Sequence, residues 1–456
     1  MSHGLVQYDE PPLDLADLVG WFISPAKTQR LVGLEVECGL VRPQTGTSVS
    51  YDEPGGTRDL LHALLDTTDA TPVLEGGALV GLALPDGATL TLEMAGAIEY
   101  SSPPSDDLTG CLALSRRCLT EVARTAEPLG LRLLTGGQLP FDRPEDISWT
   151  PKVRTAIMRR YFARLGDHGR LGDQVMGLTL STQVSLDALD PVEYLDKFRV
   201  LVAVSPFLAA LLANTPALDP GTAPVASRRM RYWRRIDPER CQDLTRRLYQ
   251  AGSLAELTDV LAALPMIYRR AGDAYLPGPQ RSFGKLLHGG FPDGVLPTIA
   301  DWKTHLGQIW PSVRPRQTLE TRLPDGQDWA GLGVLPALFV GLVEEEEIRR
   351  RVGDLVGDLP VETLDEITLD AAEEHPDGIP ARVREIGEQL VGLACEGLLA
   401  RVAKGVELPT ILDALEPVRE VLATGVTPAT ELAARWAKDW QERPDRYVAA
   451  MAVPTE

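Results

Sequence analysis

Glutamates recur at even spacings within three apolar, strand-like segments of the sequence. The first segment has two glutamates two residues apart, the second has two that are six apart, and the third has one glutamate followed two residues later by an arginine. Residues an even number of positions apart lie on one face of a strand. Taken singly, each segment also fits the polar outer face of an antiparallel strand. The glutamates are Glu35, Glu37, Glu93, Glu99 and Glu320.

Convergence of these carboxylates in one buried place would require a metal ion. Burying several carboxylates together costs several kcal/mol each unless cations neutralise the charge. Mg²⁺ is the natural candidate, because it is a hard ion that takes oxygen ligands and also bridges nucleotide phosphates. The spacing therefore predicts a magnesium site if the three segments meet.

Cationic side chains are concentrated in a few segments of an otherwise acidic chain, which indicates an anionic ligand. The sequence has no GxxxxGK[ST] motif, and no GxGxxG leads from a strand into a helix. A phosphate site would therefore use metal and arginine side chains, since the arginine fork binds phosphate or carboxylate through two hydrogen bonds. Surface solubility is the alternative for any one of these residues. The candidates are Lys152, Arg154, Arg229, Arg231, Arg234, Arg314, Arg316 and Arg322.

The overall charge and the missing motifs exclude several classes of protein. With 45 Lys+Arg against 65 Asp+Glu the net charge is −20, and such a field repels the phosphate backbone of nucleic acid. The histidines show no HExxH spacing and no GxSxG places a serine nucleophile, which argues against zinc and acyl-enzyme chemistry. The most apolar run, residues 200–213, is too short to span a bilayer. The five cysteines include no CxxC pair, so we expect a protein of the reducing cytoplasm. The net charge and the short apolar run predict that it has no nucleic-acid or membrane partner.

Periodicity predicts the elements that must position these residues. Strands are predicted for the segments that carry the glutamates, and an EEEEIRRR run at 344–351 begins a mostly helical C-terminal region. We expect three parts: an N-terminal lead over 1–30, a catalytic domain over 31–342 and a helical region over 343–456. The other predicted elements are a hairpin of 79–84 with 88–100, a strand at 177–187, and helices at 107–129, 152–165 and 191–213.

Several motifs, in consistent order over roughly residues 30 to 330, make the sequence resemble the glutamate–cysteine ligase family in its plant-type and actinobacterial branch. One such motif alone would be weak, but their shared order is specific. They include GLEVE at 33–37, LEMAGAIEYSSPP at 92–104, PKVRTAIMRRYFARLG at 151–166, SRRMRYW at 227–233 and PSVRPRQTLETRLPD at 311–325.

The resemblance implies an α+β fold like the catalytic domain of glutamine synthetase, with a curved, mainly antiparallel sheet forming a funnel inside surrounding helices. It also implies that ATP phosphorylates the side-chain carboxylate of glutamate, and that an amine then displaces the phosphate. Carried over by position, the five glutamates are the Mg²⁺ shell, and Arg322 and Arg229 clamp phosphate or glutamate. The substrate- and nucleotide-binding positions are Gln183, Ser185, Ala95, Ala97, Arg154 and Arg314.

The sequence departs from the family at positions expected to face the ligand. The family commonly has Glu-Pro-Gly-Gly-Gln-x-Glu where this chain has EMAGAIE at 93–99, and commonly has Asn at the position of Ser185. On a continuous strand, Ala95 and Ala97 would share a face with the flanking glutamates and line the funnel. Replacing glutamine by alanine removes a donor and an acceptor, which changes substrate preference while the metal ligands remain.

Four functions fit these observations. The first is an ATP-dependent γ-glutamyl ligase that uses cysteine, and the second is a relative that joins glutamate or a similar acid to another amine in a specialised pathway. The third is a kinase that releases a stable phosphorylated product. The fourth is a non-catalytic homologue that binds a metabolite or a partner. The sequence leaves the identity of the amine and the oligomeric state open.

Overall fold

The computed structural model describes residues 13–219, 222, 224–272, 274–373, 375 and 378–456. Within these residues the chain forms a nine-stranded sheet, a separate two-stranded hairpin and eighteen α-helices. The large sheet is antiparallel throughout, and the helices pack around it. The structure therefore confirms the predicted α+β class with a mainly antiparallel sheet.

The sheet is open, and its central strand is the one that carries the GLEVE motif. The described strands run in the order β10-β11-β7-β1-β5-β4-β3-β2, with β6 paired to the end of β1, and the two outermost strands do not pair with each other. The strands are β1 (Val32–Val41), β2 (Thr71–Glu75), β3 (Ala78–Ala83), β4 (Thr89–Leu92), β5 (Ile98–Ser101), β6 (Arg132–Leu134), β7 (Thr182–Leu186), β8 (Tyr268–Ala271), β9 (Ala274–Pro277), β10 (Val313–Pro315) and β11 (Leu319–Thr321). The separate hairpin consists of β8 and β9.

The two faces of the sheet differ in polarity because residues alternate along each strand. One face is apolar and buried, and it includes Leu34, Val36, Ile98 and Val184. The other face carries the polar residues, since directly opposed residues in an antiparallel pair lie on the same face. The opposed pairs on this polar face are Glu37 with Glu99, Glu35 with Gln183, Ser185 with Glu320, and Arg314 with Glu320.

Residues 93–97 form a turn, and the prediction of one strand over 88–100 is wrong. The amide of Glu93 donates to the carbonyl of Ala97 at 2.8 Å, which joins β4 to β5. Gly96 has φ +92°, a left-handed conformation that favours glycine and reverses the chain here. Glu93 therefore lies in the turn while Glu99 lies on β5, so the two do not share a strand.

The helices confirm three predictions made from the periodicity of the sequence. The predictions over 107–129, 152–165 and 191–213 correspond to α3, α4 and α6, within a few residues at each end. The α-helices are α1 (Leu15–Trp21), α2 (Thr57–Thr67), α3 (Leu108–Ala126), α4 (Val153–Arg164), α5 (Gly172–Gly177), α6 (Pro191–Leu211), α7 (Arg228–Trp233), α8 (Gln242–Tyr249), α9 (Leu254–Ala262), α10 (Phe283–Gly289), α11 (Ile299–Leu306), α12 (Val334–Val343), α13 (Glu346–Val356), α14 (Val361–Ala371), α15 (Ala381–Ala403), α16 (Glu416–Thr424), α17 (Pro428–Lys438) and α18 (Pro444–Met451).

The C-terminal region is helical as predicted, and it shares a core with the sheet. Buried side chains of β1, β7, α6, α12, α14 and α15 belong to one continuous apolar cluster. The expected boundary at 342/343 lies within α12. After α18 the chain returns to the sheet, where Val453 donates its amide to the carbonyl of Leu133 at 2.8 Å. The division into three parts stays a prediction. No helix in the described ranges has the length and apolarity needed to cross a membrane.

Candidate active site

The polar face of the sheet is the floor of an open cleft of about 1290 Å³, which we call the acidic cleft. Strand β1 supplies two carboxylates, and β5 and the β4–β5 turn supply one each. Arginines come from α4, β8 and β10 and from the residues directly after β10 and β11. Aromatic residues of the β8–β9 hairpin and the end of α11 line the rest. The predicted residues that line the cleft are Glu35, Glu37, Glu93, Glu99, Gln183, Arg154, Arg314, Arg316 and Arg322.

Four carboxylates in the cleft lack a cationic partner. Within the described ranges, Glu35, Glu37, Glu93 and Glu99 make no ion pair at 4 Å or less. Desolvation and then the charge of Glu93 raise the pKa of Glu37 to about 7. Desolvation, with the charge of Glu320, raises the pKa of Glu35, and desolvation with three glutamate charges raises the pKa of Glu99 well above its ordinary value. This concentration of negative charge is typical of a cation site.

The donor chemistry of these four residues fits a hard divalent cation, because all of their donor atoms are carboxylate oxygens. The four carboxylates lie farther apart than the ligands of a formed metal centre. In the part of the chain that the structure describes, no three His, Cys, Asp or Glu side chains are arranged to hold a metal ion. The carboxylates would have to close around an ion as it binds, so the predicted Mg²⁺ role of each stays a prediction.

Glu320 differs from the other glutamates because arginines surround it. Arg314 donates from Nη2 to Oε1 at 2.6 Å and from Nε to Oε2 at 3.0 Å, Arg322 donates to Oε1 at 2.5 Å, and Arg316 donates to Oε2 at 3.4 Å. Desolvation of the buried carboxyl opposes ionisation, but the three guanidinium groups together lower its pKa to about 2. A metal ion at Glu320 would therefore have to displace at least one arginine from the carboxylate.

Gln183 connects β7 to both the carboxylates and the arginines. Its amide donates from Nε2 to Oγ of Ser181 at 2.8 Å and to Oε1 of Glu37 at 3.2 Å. Its Oε1 accepts a hydrogen bond from Nη1 of Arg322 at 2.7 Å. Ser185 lies on the same face opposite Glu320, beyond the residues that line the cleft. Three partners thus hold the side chain of Gln183 within the cleft, as expected for the polar site position that was predicted for it.

Arg229 and Arg154 occupy different surroundings. The terminal nitrogens of Arg229 donate to the carbonyls of Leu323 at 2.9 Å and Arg322 at 2.8 Å, so the main chain takes the donors that a phosphate clamp would use. Arg154 lines the acidic cleft, and its Nε has no hydrogen-bond partner in the described chain. Although desolvation opposes it, nearby Tyr268 and Glu93 raise the pKa of Arg154. Of these two predicted cations, Arg154 is the one available to a ligand in the cleft.

The remaining cationic candidates lie outside the acidic cleft. Lys152 donates to the carbonyl of Leu92 behind the β4–β5 turn. Arg231 pairs with Glu373, and Arg234 faces Asp365 at 3.8 Å. The sequence placed these residues with the arginines of β10 and β11 by charge alone, and the fold separates them.

Ala95 and Ala97 line a second space, which we call the inner cavity. It has a volume of about 670 Å³ and adjoins the acidic cleft, with which it shares Glu37, Glu93 and Arg322. Both alanines are more than nine-tenths buried, and the Cβ of Ala95 would lie 3.2 Å from a Cβ placed on Gly177. The prediction that these two positions face the site fits this placement, although a turn and not a strand presents them.

Comparison with known proteins assigns the chain to a family. The family model described as glutamate-cysteine ligase family 2 matches residues 31–450. The chain belongs to this family. It is 30% identical to a chloroplastic glutamate–cysteine ligase of Brassica juncea over 95% of this chain and 83% of the relative. It is also 30% identical to the chloroplastic glutamate–cysteine ligase of Medicago truncatula, over 95% of this chain and 84% of the relative. The predicted cytoplasmic location stays a prediction.

A solved structure shares the fold of this family member at low identity. It is the glutamate–cysteine ligase of Francisella tularensis in complex with AMP, with a TM-score of 0.52, 11% identity and coverage of 94% of this chain and 88% of that one. At this identity the likeness concerns the fold alone. It supports the predicted mainly antiparallel sheet with surrounding helices.

Several lining residues of this glutamate–cysteine ligase family member were missed by sequence reasoning. Tyr268 and Tyr275 reach the acidic cleft from the β8–β9 hairpin, and Lys303 reaches it from α11. Trp310 lies between the acidic cleft and the inner cavity. A signal existed for Lys303, because its segment, PTIADWKTHL at 297–306, is another of the motifs that resemble the family. The short β8–β9 hairpin has no pattern that marks its tyrosines as ligand-facing.

Proposed function

We propose that this protein is an ATP-dependent γ-glutamyl ligase that joins glutamate to cysteine. The observation that carries the proposal is the meeting of four unpaired carboxylates with Arg154, Arg314 and Arg322 in one cleft of a glutamate–cysteine ligase family member. Carboxylates attract divalent cations, and arginines attract phosphate and carboxylate groups. A site that binds a metal–nucleotide complex beside an acidic substrate needs both.

The unpaired carboxylates Glu35, Glu37, Glu93 and Glu99 are the residues that would hold Mg²⁺. Glu320 joins them if Arg322 leaves its carboxylate for the phosphate. When bound, Mg²⁺ neutralises the charge of the nucleotide phosphates and of the carboxylate that reacts. In its absence the four side chains offer an anion no positive charge and those that are ionised repel it, so binding of ATP and the acid depends on the cation.

The reaction proceeds in two steps, phosphorylation of the acid and then formation of the amide. An oxygen of the γ-carboxylate attacks the γ-phosphorus of ATP, the bond to the ADP oxygen breaks, and an acyl phosphate forms. The amine nitrogen then attacks the acyl carbon, phosphate leaves, and the nitrogen loses one proton as the amide forms. Arg322 and Arg154 stabilise charge on the transferring phosphoryl group, and Trp310 at the junction with the inner cavity limits access of water.

The β4–β5 turn favours a second version of the same reaction. Ala95 and Ala97 offer no side-chain hydrogen bond to the inner cavity, where Met158, Phe162 and Val175 also contribute apolar groups. An acid or amine that places carbon atoms there would lose less binding free energy than one whose buried polar groups need hydrogen-bond partners. The alternative is therefore a ligase of the same chemistry that joins glutamate or a similar acid to a different amine.

One experiment tests both versions and their rivals. Purified protein is incubated with ATP, Mg²⁺, a panel of acids headed by L-glutamate and a panel of amines headed by L-cysteine. ADP release is followed and the product mass is measured. We expect ADP and an amide only when acid and amine are both present. ADP with a phosphorylated acid and no amine dependence would identify a kinase, and no ADP with any pair would leave a non-catalytic homologue.

A further inference from the structure

A buried polar cluster lies behind the segment that carries Arg322 into the acidic cleft. Its central carboxylate is Asp325, three residues after Arg322, and this side chain has no exposed surface. Asp325 does not line the acidic cleft, so it is not one of the carboxylates that would hold Mg²⁺. What this buried charge does in the protein follows from the groups that it contacts.

Both carboxylate oxygens of Asp325 accept hydrogen bonds from two other segments of the chain. Oδ2 accepts from the amide of Asn214 and from Oγ1 of Thr215, each at 2.9 Å. Oδ1 accepts from Oγ of Ser227 at 2.9 Å. Asn214 and Thr215 follow α6, and Ser227 is the N-cap of α7. The carboxylate therefore joins the ends of two helices to the segment after β11.

The hydroxyl of Thr215 connects Asp325 to the first turn of α7. It donates to Asp325 and at the same time accepts from the amide of Arg229 at 3.1 Å. The carbonyl of Thr215 also accepts from the amide of Arg228 at 2.8 Å. A hydroxyl group serves both as donor and as acceptor, which a methyl group of the same size does not. The hydroxyl of Thr215 thus fixes the position of Arg229 relative to Asp325.

The guanidinium of Arg229 extends this arrangement to the main chain of Arg322. Its terminal nitrogens donate to the carbonyls of Arg322 at 2.8 Å, Leu323 at 2.9 Å and Pro324 at 3.3 Å. Its Nη1 lies 3.8 Å from Oδ1 of Asp325, which supplies the counter-charge that a buried guanidinium requires. One side chain therefore holds three successive peptide groups, of which the first belongs to Arg322.

The main chain of Arg322 is held on both sides, and this determines how its side chain enters the cleft. Its amide donates to the carbonyl of Ser312 at 2.9 Å, and its carbonyl accepts from Arg229. From this fixed origin, Nη1 of Arg322 reaches Gln183 at 2.7 Å and Glu320 at 2.5 Å. The long side chain of arginine has many conformations, so an unchanged origin of the side chain is needed for its fork to reach the same acceptors.

We infer that Asp325 and Thr215 are positioning residues for phosphoryl transfer, which act on Arg322 through Arg229. The inference rests on the proposed function, in which Arg322 stabilises charge on the transferring phosphoryl group. A misplacement of about 1 Å in such a group costs up to about a hundredfold in rate. Loss of the cluster should therefore lower kcat, whereas the KM for ATP should change little, because the carboxylates and Arg154 still line the cleft.

The first test removes or keeps the hydroxyl of Thr215. Thr215→Val keeps the shape and loses the hydroxyl, and Thr215→Ser keeps the hydroxyl and loses a methyl group. With the acid and amine that give the fastest ADP release, we expect Thr215→Val to lower kcat at least twentyfold and to leave the KM for ATP within threefold. Thr215→Ser should keep kcat within threefold. A role in packing alone predicts the reverse order, because only the serine leaves a gap.

The matched control is Thr258→Val, in α9. Thr258 is also fully buried, and its hydroxyl donates to the carbonyl of Leu254 at 2.7 Å, away from the acidic cleft. Its loss should leave kcat within twofold. Thermal unfolding of each variant shows whether it is folded. If Thr215→Val does not fold, Ser227→Ala removes the donor to the other oxygen of Asp325 and should lower kcat at least fivefold with the same KM for ATP.

The second test asks whether the cluster acts through Arg322. Thr215→Val is combined with Arg322→Lys, and phosphate release from radiolabelled ATP over hours measures the slow variants. Residues that act through one another have effects that do not add. We therefore expect Thr215→Val to lower kcat less than threefold in the Arg322→Lys protein, compared with at least twentyfold in the unaltered one.

The outcomes separate this inference from the proposed function. A lower kcat in Thr215→Val, recovery in Thr215→Ser and a smaller effect in the Arg322→Lys protein would together support it. An unchanged kcat in folded Thr215→Val, equal losses in the valine and serine variants, or the same loss with and without Arg322→Lys would each overturn it and leave the proposed function standing. If the unaltered protein releases no ADP with any pair, the proposed function itself fails.

Discussion

Arg314 binds Glu320 through two parallel hydrogen bonds, from Nη2 to Oε1 at 2.6 Å and from Nε to Oε2 at 3.0 Å. The two residues are opposed in the register of β10 and β11, and both are buried. A buried charge pair with this geometry holds each partner in one orientation. The pair therefore fixes the end of the sheet from which Arg322 extends into the cleft.

The polar face of the sheet thus carries two kinds of buried carboxylate. Glu320 is neutralised by arginines of the chain itself, whereas Glu35, Glu37 and Glu99 have raised pKa values and form no ion pair at 4 Å or less with the described residues. The same Glu→Gln change should therefore stabilise or destabilise the protein according to which kind it removes.

We expect Glu320→Gln to lower the free energy of unfolding by about 3–5 kcal/mol, because it leaves buried guanidinium groups without their counter-charge. Urea unfolding in the presence of a chelator measures this change. Glu99→Gln is the matched control on the same face, and it should not destabilise the metal-free protein. Equal losses in both variants would show that the charge of Glu320 does not stabilise the fold.

Glu35→Gln should abolish ATP turnover and leave the fold intact, because it removes one charge from the proposed metal shell without changing the shape of the side chain. ADP release at limiting Mg²⁺ and thermal unfolding together measure the two effects. Glu121→Gln, at a partly exposed position of α3 outside the acidic cleft, is the control. Near-normal ADP release by Glu35→Gln at limiting Mg²⁺ would contradict the metal assignment.

Much of the fold was accessible from the sequence because apolar periodicity records which face of an element is buried. Helices α3, α4 and α6 and the strand at Glu35 follow directly from it. The β4–β5 turn did not, because its middle residues are small and apolar like those of the adjoining strands. Gly96 marks the reversal, but a single glycine inside a strand pattern also indicates a bulge or a close approach of another backbone.

The sequence predicted which residue types form the site, but it predicted few of the contacts between them. Even spacing places Glu35 and Glu37 on one face, but it does not reveal that β7 and β11 bring Gln183 and Arg322 beside them. Such contacts join residues far apart in the chain, and only the strand order determines them. The resemblance of motifs supplied that information for Arg322, directly after β11. It also grouped Arg229 with Arg322, although the main chain takes the terminal donors of Arg229.

The metal-free protein should lose stability as pH rises from about 4.5 to about 7. Burial raises the pKa of Glu37 to about 7 from an ordinary 4.5, so the folded state holds a proton that the unfolded state releases first. The contribution is full below the unfolded pKa and is lost as pH rises through the folded one. The difference in Tm between the unaltered protein and Glu37→Gln, measured with chelator across this range, reports it. Mg²⁺ should restore the lost stability, and a pH-independent difference would contradict the assignment.

Arg322→Lys should lower turnover by at least a hundredfold. Nη1 of Arg322 donates to both Gln183 and Glu320, and lysine keeps the charge but loses the planar fork that serves several acceptors. Steady-state ADP release measures the effect, and Arg350→Lys, at an exposed position paired with Glu347, is the control. Wild-type rates in Arg322→Lys would reduce Arg322 to a structural ion pair.

The β4–β5 turn should tune the choice of substrate without affecting phosphoryl transfer. Ala95 and Ala97 line the inner cavity without offering a hydrogen bond, while Glu93 and Glu99 on either side remain. A hydrogen-bonding group lost from a closed site shifts preference by about 1–3 kcal/mol, roughly ten- to a hundredfold between substrates. The double change Ala95→Gly with Ala97→Gln should therefore move kcat/KM towards cysteine relative to the best alternative amine and leave the Mg²⁺ requirement unaltered. If the unaltered protein already prefers cysteine strongly and the double change leaves that ratio flat, the turn does not select the substrate and the plain glutamate–cysteine ligase remains.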